Sequence, residues 1–528
     1  NRMIGWYDRS LALPIGDGAR AAYARAPLTE VPAAQFQVQG GSVYPGTGGR
    51  PRSLWKGDTM FLPRLATAYQ VGSKTVLRAG FGVFYDSYNV LQRGFSYNGF
   101  SRNTNTTVTT DFGQTWNVGD PYRGVSPLKD PFPVRANGTR FDVPLGDALG
   151  SMQMAGRSFS FRDPDQMRHA RQFRLRLGMQ HQIDPQTVLE AGYIRAYSDN
   201  NYLTRNLNPL PEKYWASGTV RNNNNATDMN NNVTNPFYIG NFATLQSANP
   251  LVYQDMTTTG FFTSRTIRKN QLLRPNPHMS GLSFSDSPRG AVKMDSLEVS
   301  LQRRFSKGFN LNFYYTALRQ RDRDIYLNEF DPEPSWRVSN NGRPHRVVAS
   351  GIYELPVGKG RRFARSGVGN LLAGGWQVGA TYEYQPGGLV GWGNVFYYGD
   401  PADIGTGTGS LDQWFNTAGV ACGATPGTNS GFERCSTRGP AAYHRRVFPT
   451  RLEGLSQGST NTWNSNLIRN FRIREGVDFL LRLDVINVFN RSEWGAPNTD
   501  PFSTNFGRVT SVTSAQKRFL QIQGKIRF

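Results

Sequence analysis

The run Gln172-Phe173-Arg174-Leu175-Arg176-Leu177-Gly178-Met179-Gln180-His181-Gln182-Ile183, continued through Asp184-Pro185-Gln186 to Leu189-Glu190-Ala191-Gly192-Tyr193, decides the fold. Phe173, Leu175, Leu177, Met179 and Ile183 fall on one side of an extended chain, with Gln172, Arg174, Arg176, Gln180 and Gln182 on the other. After the polar turn the alternation resumes, Leu189, Ala191 and Tyr193 against Glu190 and Gly192. Period two over about ten residues is what a tilted membrane-crossing strand requires, and two such runs joined by a short turn make a β-hairpin.

The same grammar recurs along the chain. Leu65, Thr67, Tyr69 and Val71 turn at Gly72-Ser73 into Leu77, Ala79, Phe81, Val83 and Tyr85, whose other side carries Arg78, Gly80 and Gly82. Leu297, Val299, Leu301 and Phe305 turn at Ser306-Lys307-Gly308 into Phe309, Leu311, Phe313, Tyr315 and Ala317. Val347, Ala349, Tyr353 and Leu355 are joined by a Gly/Arg-rich connection to Trp376, Val378, Ala380, Tyr382 and Tyr384. Leu467, Phe471 and Ile473 turn at Arg474-Glu475-Gly476 into Leu481, Leu483, Val485 and Phe489, and Leu520, Ile522, Gly524, Ile526 and Phe528 close the chain.

The remaining connections are of another kind. Residues 87–169, 196–292, 318–343, 386–461 and 491–514 are long, polar and rich in Gly, Asn, Thr and Pro. Short turns at one end and long loops at the other is the pattern of an outer-membrane barrel, with turns periplasmic and loops extracellular. The expected fold is therefore all-β, an antiparallel transmembrane β-barrel of eleven strands with an apolar lipid-facing side, a charged lumen-facing side and long extracellular loops. Phe305, Phe309, Trp376 and Phe528, near strand ends, fit an interfacial aromatic girdle. Residues 34–40 are assigned to a loop. Residues 1–60 are expected to be an extracellular region entering the barrel, and 61–528 the barrel itself. A bacterial single-chain barrel has an even strand count, so earlier strands are expected upstream.

Composition narrows the function classes. No apolar run approaches the roughly 18 residues a spanning helix needs, and the mean hydropathy is negative. Asn1-Arg2-Met3-Ile4-Gly5-Trp6 has no basic start, apolar stretch or cleavage site, so no signal peptide is visible. Sixty Lys and Arg against 38 Asp and Glu give +22. These charges are spread out and accompany no nucleic-acid-binding motif, so solvated loops and a polar barrel interior are expected rather than a nucleic-acid partner. Cys422 and Cys435 flank a Gly/Thr/Asn-rich stretch; a loop disulfide suits them better than a metal, because two thiols with no nearby His cannot complete a tetrahedral shell. The five histidines, His169, His181, His278, His345 and His444, are scattered, and neither a nucleophile elbow nor a phosphate-cradling loop occurs. No enzyme, no metal and no cofactor is expected.

Several stretches carry a resemblance in their order. They are Pro63-Arg64-Leu65-Ala66 leading into Leu77-Arg78-Ala79-Gly80-Phe81-Gly82-Val83-Phe84-Tyr85-Asp86, then Leu189-Glu190-Ala191-Gly192-Tyr193, then Leu301-Gln302-Arg303-Arg304-Phe305-Ser306-Lys307-Gly308. His345-Arg346, Tyr353-Glu354-Leu355-Pro356, Phe489-Asn490-Arg491 and Phe506-Gly507-Arg508-Val509 follow. With them the chain resembles the C-terminal barrel portion of the TonB-dependent outer-membrane receptors of the Oar-like group. The resemblance implies a larger barrel of about 22 strands, filled by an N-terminal plug and engaged by the TonB complex through a segment upstream of this sequence. It implies uptake of a scarce or bulky solute in the bacterial outer membrane.

Two residue sets follow. Arg78, Arg174, Arg176, Glu190, Glu298, Gln302, Arg304, Glu383, Arg472, Arg482 and Asp484 are expected to face the lumen, where they would bind a plug or line a solute path; cross-strand charge pairing is the plain alternative. Gly524, Ile526 and Phe528 resemble the terminal signal read by the barrel assembly machinery; an ordinary edge strand ending in Phe is the alternative. The remaining expected partners are outer-membrane lipid and lipopolysaccharide. Two rival functions stay open: a barrel-anchored surface adhesin or structural protein, and a secreted, soluble β-rich carbohydrate-binding protein.

Overall fold

A computed structural model describes residues 5–52, 59–86, 99–106, 109, 111, 112, 114, 115, 132, 134, 138–163, 166, 168–218, 220–405, 409–421, 430–434, 442–514 and 517–528. The eleven alternating segments are strands: β1 (Arg64–Val71), β2 (Thr75–Tyr85), β3 (Arg171–Asp184), β4 (Thr187–Asn206), β5 (Gly281–Ser306), β6 (Phe309–Ile325), β7 (His345–Glu354), β8 (Trp376–Gln385), β9 (Thr460–Arg474), β10 (Val477–Ile486) and β11 (Phe519–Arg527). Each pairs antiparallel with the next, so the sheet is a meander from β1 to β11. Ser158–Phe161 adds a short parallel partner to β5, and Ser335–Val338 an antiparallel one to β6. Among the described residues β1 and β11 pair on one side only.

Register converts alternation into two faces. Leu177 stands opposite Ala79 and Tyr193, and Tyr193 opposite Leu297. In the adjoining row Gly178 stands opposite Arg78 and Gly192, and Gly192 opposite Glu298. The apolar face is left uncovered: Leu65 is 71% exposed, Leu177 45%, Leu297 46% and Ile522 75%. In water such a face would forfeit the burial that stabilises a sheet, whereas hydrocarbon is its natural solvent. No helix among the described residues is long and apolar enough to cross a membrane.

The two ends of the sheet differ. At one end the turns are short, and Gly72, Gly308 and Gly476 adopt the left-handed backbone that tight turns demand (φ 69°, 85° and 78°). The connection of residues 355–375 departs from this pattern, carrying a helix at Gly367–Ala373. On the apolar face near this end Arg303 lies over Phe309 (4.5 Å) and 3.3 Å from Asp184. At the opposite end of that face Tyr382 and Trp463 pack at 4.4 Å, with Phe489 beyond them. Aromatic rings at both ends of an apolar band make the girdles of a membrane barrel.

The described residues of the long connections carry structure of their own, and with residues 5–52 they pack into a cap. Trp6–Ala12 pairs with Gln39–Val43 and a helix occupies Gly16–Ala24, so residues 34–40, read as loop, include a 3₁₀ turn at Ala33–Gln35 and the start of a strand. Ile15, Tyr23 and Phe36 join Met152 from the β2–β3 connection and Phe237, Val252, Met256 and Phe262 from the β4–β5 connection in a buried core. A second core, of Trp392, Phe415, Phe432, Phe448 and Phe506, ties the β8–β9 and β10–β11 connections together. Between them Arg221 meets Glu433 at 2.5 Å with both side chains buried, Asn328 exchanges hydrogen bonds with the Arg446 backbone, and Trp215 packs on Phe330 and Tyr443. β4 and β5 also run beyond the alternating segments, to Asn206 and from Gly281, to reach this cap.

Candidate functional site

The charged candidate residues lie on the polar face of the sheet. Five of the candidate residues gather there: Arg78 on β2, Arg176 on β3, Glu190 on β4, and Glu298 and Gln302 on β5 line one cavity of about 760 Å³. The cavity exists because its floor has almost no side chains. Gly80, Gly178 and Gly192 are its glycines, and Ala66 and Ala68 continue it onto β1. With no Cβ on Gly178 or Gly192, the row from Arg78 to Glu298 is empty between its two charged ends.

The charges around this trough are loosely held. Arg176 and Glu298 approach to 3.9 Å while remaining 65% and 44% exposed, and Gln302 donates to the Tyr314 hydroxyl at 3.1 Å. Exposed pairs of this length contribute about 0–1 kcal/mol. Both groups thus stay available to another charged partner.

The other candidates lie elsewhere on the polar face. Glu383 accepts from Arg346 across β7–β8 at 2.8 Å. Arg482 and Asp484 pair with one another at 2.8 Å, alongside Gln523 and Gln521 of β11. Arg472 faces Asp478 in register, Arg174 lies beyond the trough opposite Gly82, and the Arg304 backbone N–H bonds the Gln186 carbonyl. Three trough residues, Gly178, Gly192 and Tyr314, were not singled out from sequence. The signal for the glycines was present, since each interrupts the polar side of an alternating run; only the register shows that they adjoin. Arg346, the partner of Glu383, is a further addition.

At the sheet edge Gly524 and Ile526 lie on the apolar face of β11, and Phe528 follows the strand fully exposed. A Cβ on Gly524 would stand 3.1 Å from the Phe479 ring, although the whole strand, Gly524 included, is exposed. Cys422 and Cys435 lie outside the described residues.

Residues 18–523 match the family described as Outer membrane beta barrel domain. The chain belongs to that family. Its place is the bacterial outer membrane, and the uncovered apolar face of this outer membrane barrel domain meets lipid; a secreted, soluble protein is thereby set aside. No curated protein matches the barrel domain in sequence. Among solved structures it is similar to the outer membrane transporter YddB from Escherichia coli, at 9% identity and TM-score 0.35, covering 86% of this chain and 39% of that one. The ferripyoverdine receptor of Pseudomonas aeruginosa gives 9% identity and TM-score 0.31 over 88% of this chain and 32% of that one. The FrpB iron transporter from Neisseria meningitidis gives 9% and 0.32, over 88% and 39%. The chain thus spans less than two fifths of the length of these structures.

Proposed function

We propose that this chain is part of the wall and outer surface of a TonB-dependent receptor of the Oar-like group, taking up a scarce or bulky solute through the outer membrane. The observation that carries the reading is the glycine-floored trough on the polar face, a charged depression of about 760 Å³ on the side turned away from lipid. A solute path needs polar, exchangeable contacts along its wall, and side chains that are loosely paired supply them. On this reading the eleven strands belong to a larger barrel, the extracellular cap captures the solute, and a plug fills the lumen against Arg78, Arg176, Glu190 and Glu298. Gly524, Ile526 and Phe528 serve as the signal for the barrel assembly machinery. Passage through a lumen makes and breaks no covalent bond, so the reading assigns no catalytic residue.

The test is uptake of solutes from spent medium by cells with and without the gene, repeated with the TonB complex disabled. The reading requires a solute whose accumulation depends on both. A second reading, a barrel-anchored adhesin, draws on the cap, whose buried aromatic cores present a fixed surface. Surface attachment lost with the gene, alongside unchanged uptake, would favour it.

A further inference from the structure

The connection of residues 355–375 is the one at the short-turn end with a helix of its own, and its placement is specified by an unusual arginine. Arg469 sits on β9 directly opposite Trp376 of β8 and Leu481 of β10. Leu467, Val378 and Leu483 form the next row on the same side, so Arg469 belongs to the apolar face. A cation there would be costly if unpartnered. Instead its guanidinium donates to the carbonyls of Leu372 (2.7 Å) and Leu371 (2.5 Å), and it lies over the rings of Phe471 (4.1 Å) and Trp376 (5.6 Å). The Trp376 indole N–H donates to the Leu372 carbonyl as well, at 3.0 Å.

These bonds hold the C-terminal end of the helix Gly367–Ala373 against the lipid-facing side of the wall. At the neck of the connection Gly358 and Gly374 approach so closely that a Cβ on Gly358 would stand 2.8 Å from the Gly374 Cα, which fixes where the helix hangs. Four large apolar side chains project from the connection: Phe363 is 54% exposed, Val368 70%, Leu371 64% and Leu372 67%. Residues 355–375 contain Lys359, Arg361, Arg362 and Arg365 and no acidic residue. Arg361 is paired with Glu354; among the described residues no ion pair engages Lys359, Arg362 or Arg365.

We propose that residues 355–375 form an interfacial anchor that lies in the phospholipid headgroup layer at the short-turn rim. Phe363, Val368, Leu371 and Leu372 enter the upper acyl region, and Lys359, Arg362 and Arg365 meet lipid phosphates. The occupant is a phospholipid leaflet because the exposed apolar patch continues the band of the wall that already faces lipid, and because the charge beside it is wholly basic. Apolar insertion combined with cationic flanks is how surface helices hold a membrane, and long basic side chains reach headgroups while their stems stay apolar.

The experiment places one cysteine at Leu371 (Leu371→Cys) in the full-length protein carrying Cys422→Ser and Cys435→Ser, labels it with an environment-sensitive fluorophore, and reconstitutes it in vesicles of phosphatidylethanolamine with or without phosphatidylglycerol. An Ile522→Cys label reports the wall. The proposal expects brominated acyl chains to quench Leu371 and Ile522 alike, iodide to quench neither, and Lys359→Gln/Arg362→Gln/Arg365→Gln to shift Leu371 toward iodide only in the anionic vesicles. Quenching of Leu371 by iodide and not by bromolipid, with Ile522 still responding to bromolipid, would overturn the anchor. Failure at Ile522 as well would instead overturn the lipid-facing assignment of the wall. Arg469→Gln should loosen Leu371 alone.

Discussion

The wall and the cap solve the same problem, where to put apolar side chains, in opposite ways. In the wall Leu65 and Ile522 are 71% and 75% exposed on one face of the sheet, while in the cap Phe237, Phe415 and Phe432 are wholly buried. Each arrangement is stable in its own solvent only. The wall depends on hydrocarbon and needs no internal core; the cap stands in water and needs one. The difference teaches that the two regions should fail under different insults.

The largest expected effect is in the cap. Phe432→Ala empties the centre of the aromatic cluster around Trp392 and Phe415, where rings stand 5.2 and 6.2 Å from Phe432. A loss of about 3–5 kcal/mol of local stability is expected. Limited proteolysis would register it as cleavage in residues 386–459, with the wall keeping its unboiled gel mobility; loss of both together would mean that cap and wall are one cooperative unit. Next comes the wall. Leu177→Arg should weaken insertion by about 2–4 kcal/mol at the bilayer midplane, while Gln302→Arg on the polar face should be nearly neutral. Urea titration of the protein in vesicles measures both, and equal costs would erase the distinction between the faces.

A subtler effect concerns pH. His278 is buried in the cap, its Nε2 2.8 Å from the Gly40 carbonyl and its Nδ1 without a hydrogen-bond partner. Burial pushes its imidazole down to about 4, against a weaker opposing influence from Gly40. The unfolded imidazole titrates near 6.5, so the unfolded chain takes up the proton first on acidification. The contribution of the neutral His278 to cap stability is therefore full above pH 6.5 and declines as pH falls from there toward 4. Hydrogen-exchange protection factors at residues 39–43 and 276–280, corrected for the intrinsic slowing of exchange in acid, should fall over that window in the wild type and not in His278→Gln. The smallest stability effect belongs to the trough: Arg176→Gln should change the wall by no more than about 1 kcal/mol, yet reduce solute uptake. Unchanged uptake would leave the trough a purely structural depression.

How much of this was legible in sequence follows from the same contrast. All eleven strands could be read, because a membrane wall keeps one side apolar and the other polar and so writes period two into the chain. The reading failed where that condition ends. β4 beyond Tyr193 and β5 before Leu297 rise past the apolar band, both of their sides become polar or cap-facing, and the alternation disappears although the strand continues. The cap was illegible because its core residues, Phe237, Phe242, Val252 and Phe262 among them, come from short helices and turns of no shared period, scattered among Asn, Gly and Thr. The polar-face residues were legible individually, by their parity in each run. Their gathering into a trough was not, since it depends on Gly178 and Gly192 being register partners.

The account rests on the wall's having one side in lipid and the other in water. A cysteine scan of residues 172–183, each position carrying a spin label in the outer membrane of the producing cells, measures that directly through relaxation by dissolved oxygen and by a water-soluble nickel chelate. The account predicts that labels at Phe173, Leu175, Leu177, Met179 and Ile183 respond to oxygen while those at Gln172, Arg174, Arg176, Gln180 and Gln182 respond to nickel, out of phase by one residue. Nickel access to Leu175, Leu177 and Met179, or a loss of the period-two pattern, would contradict it.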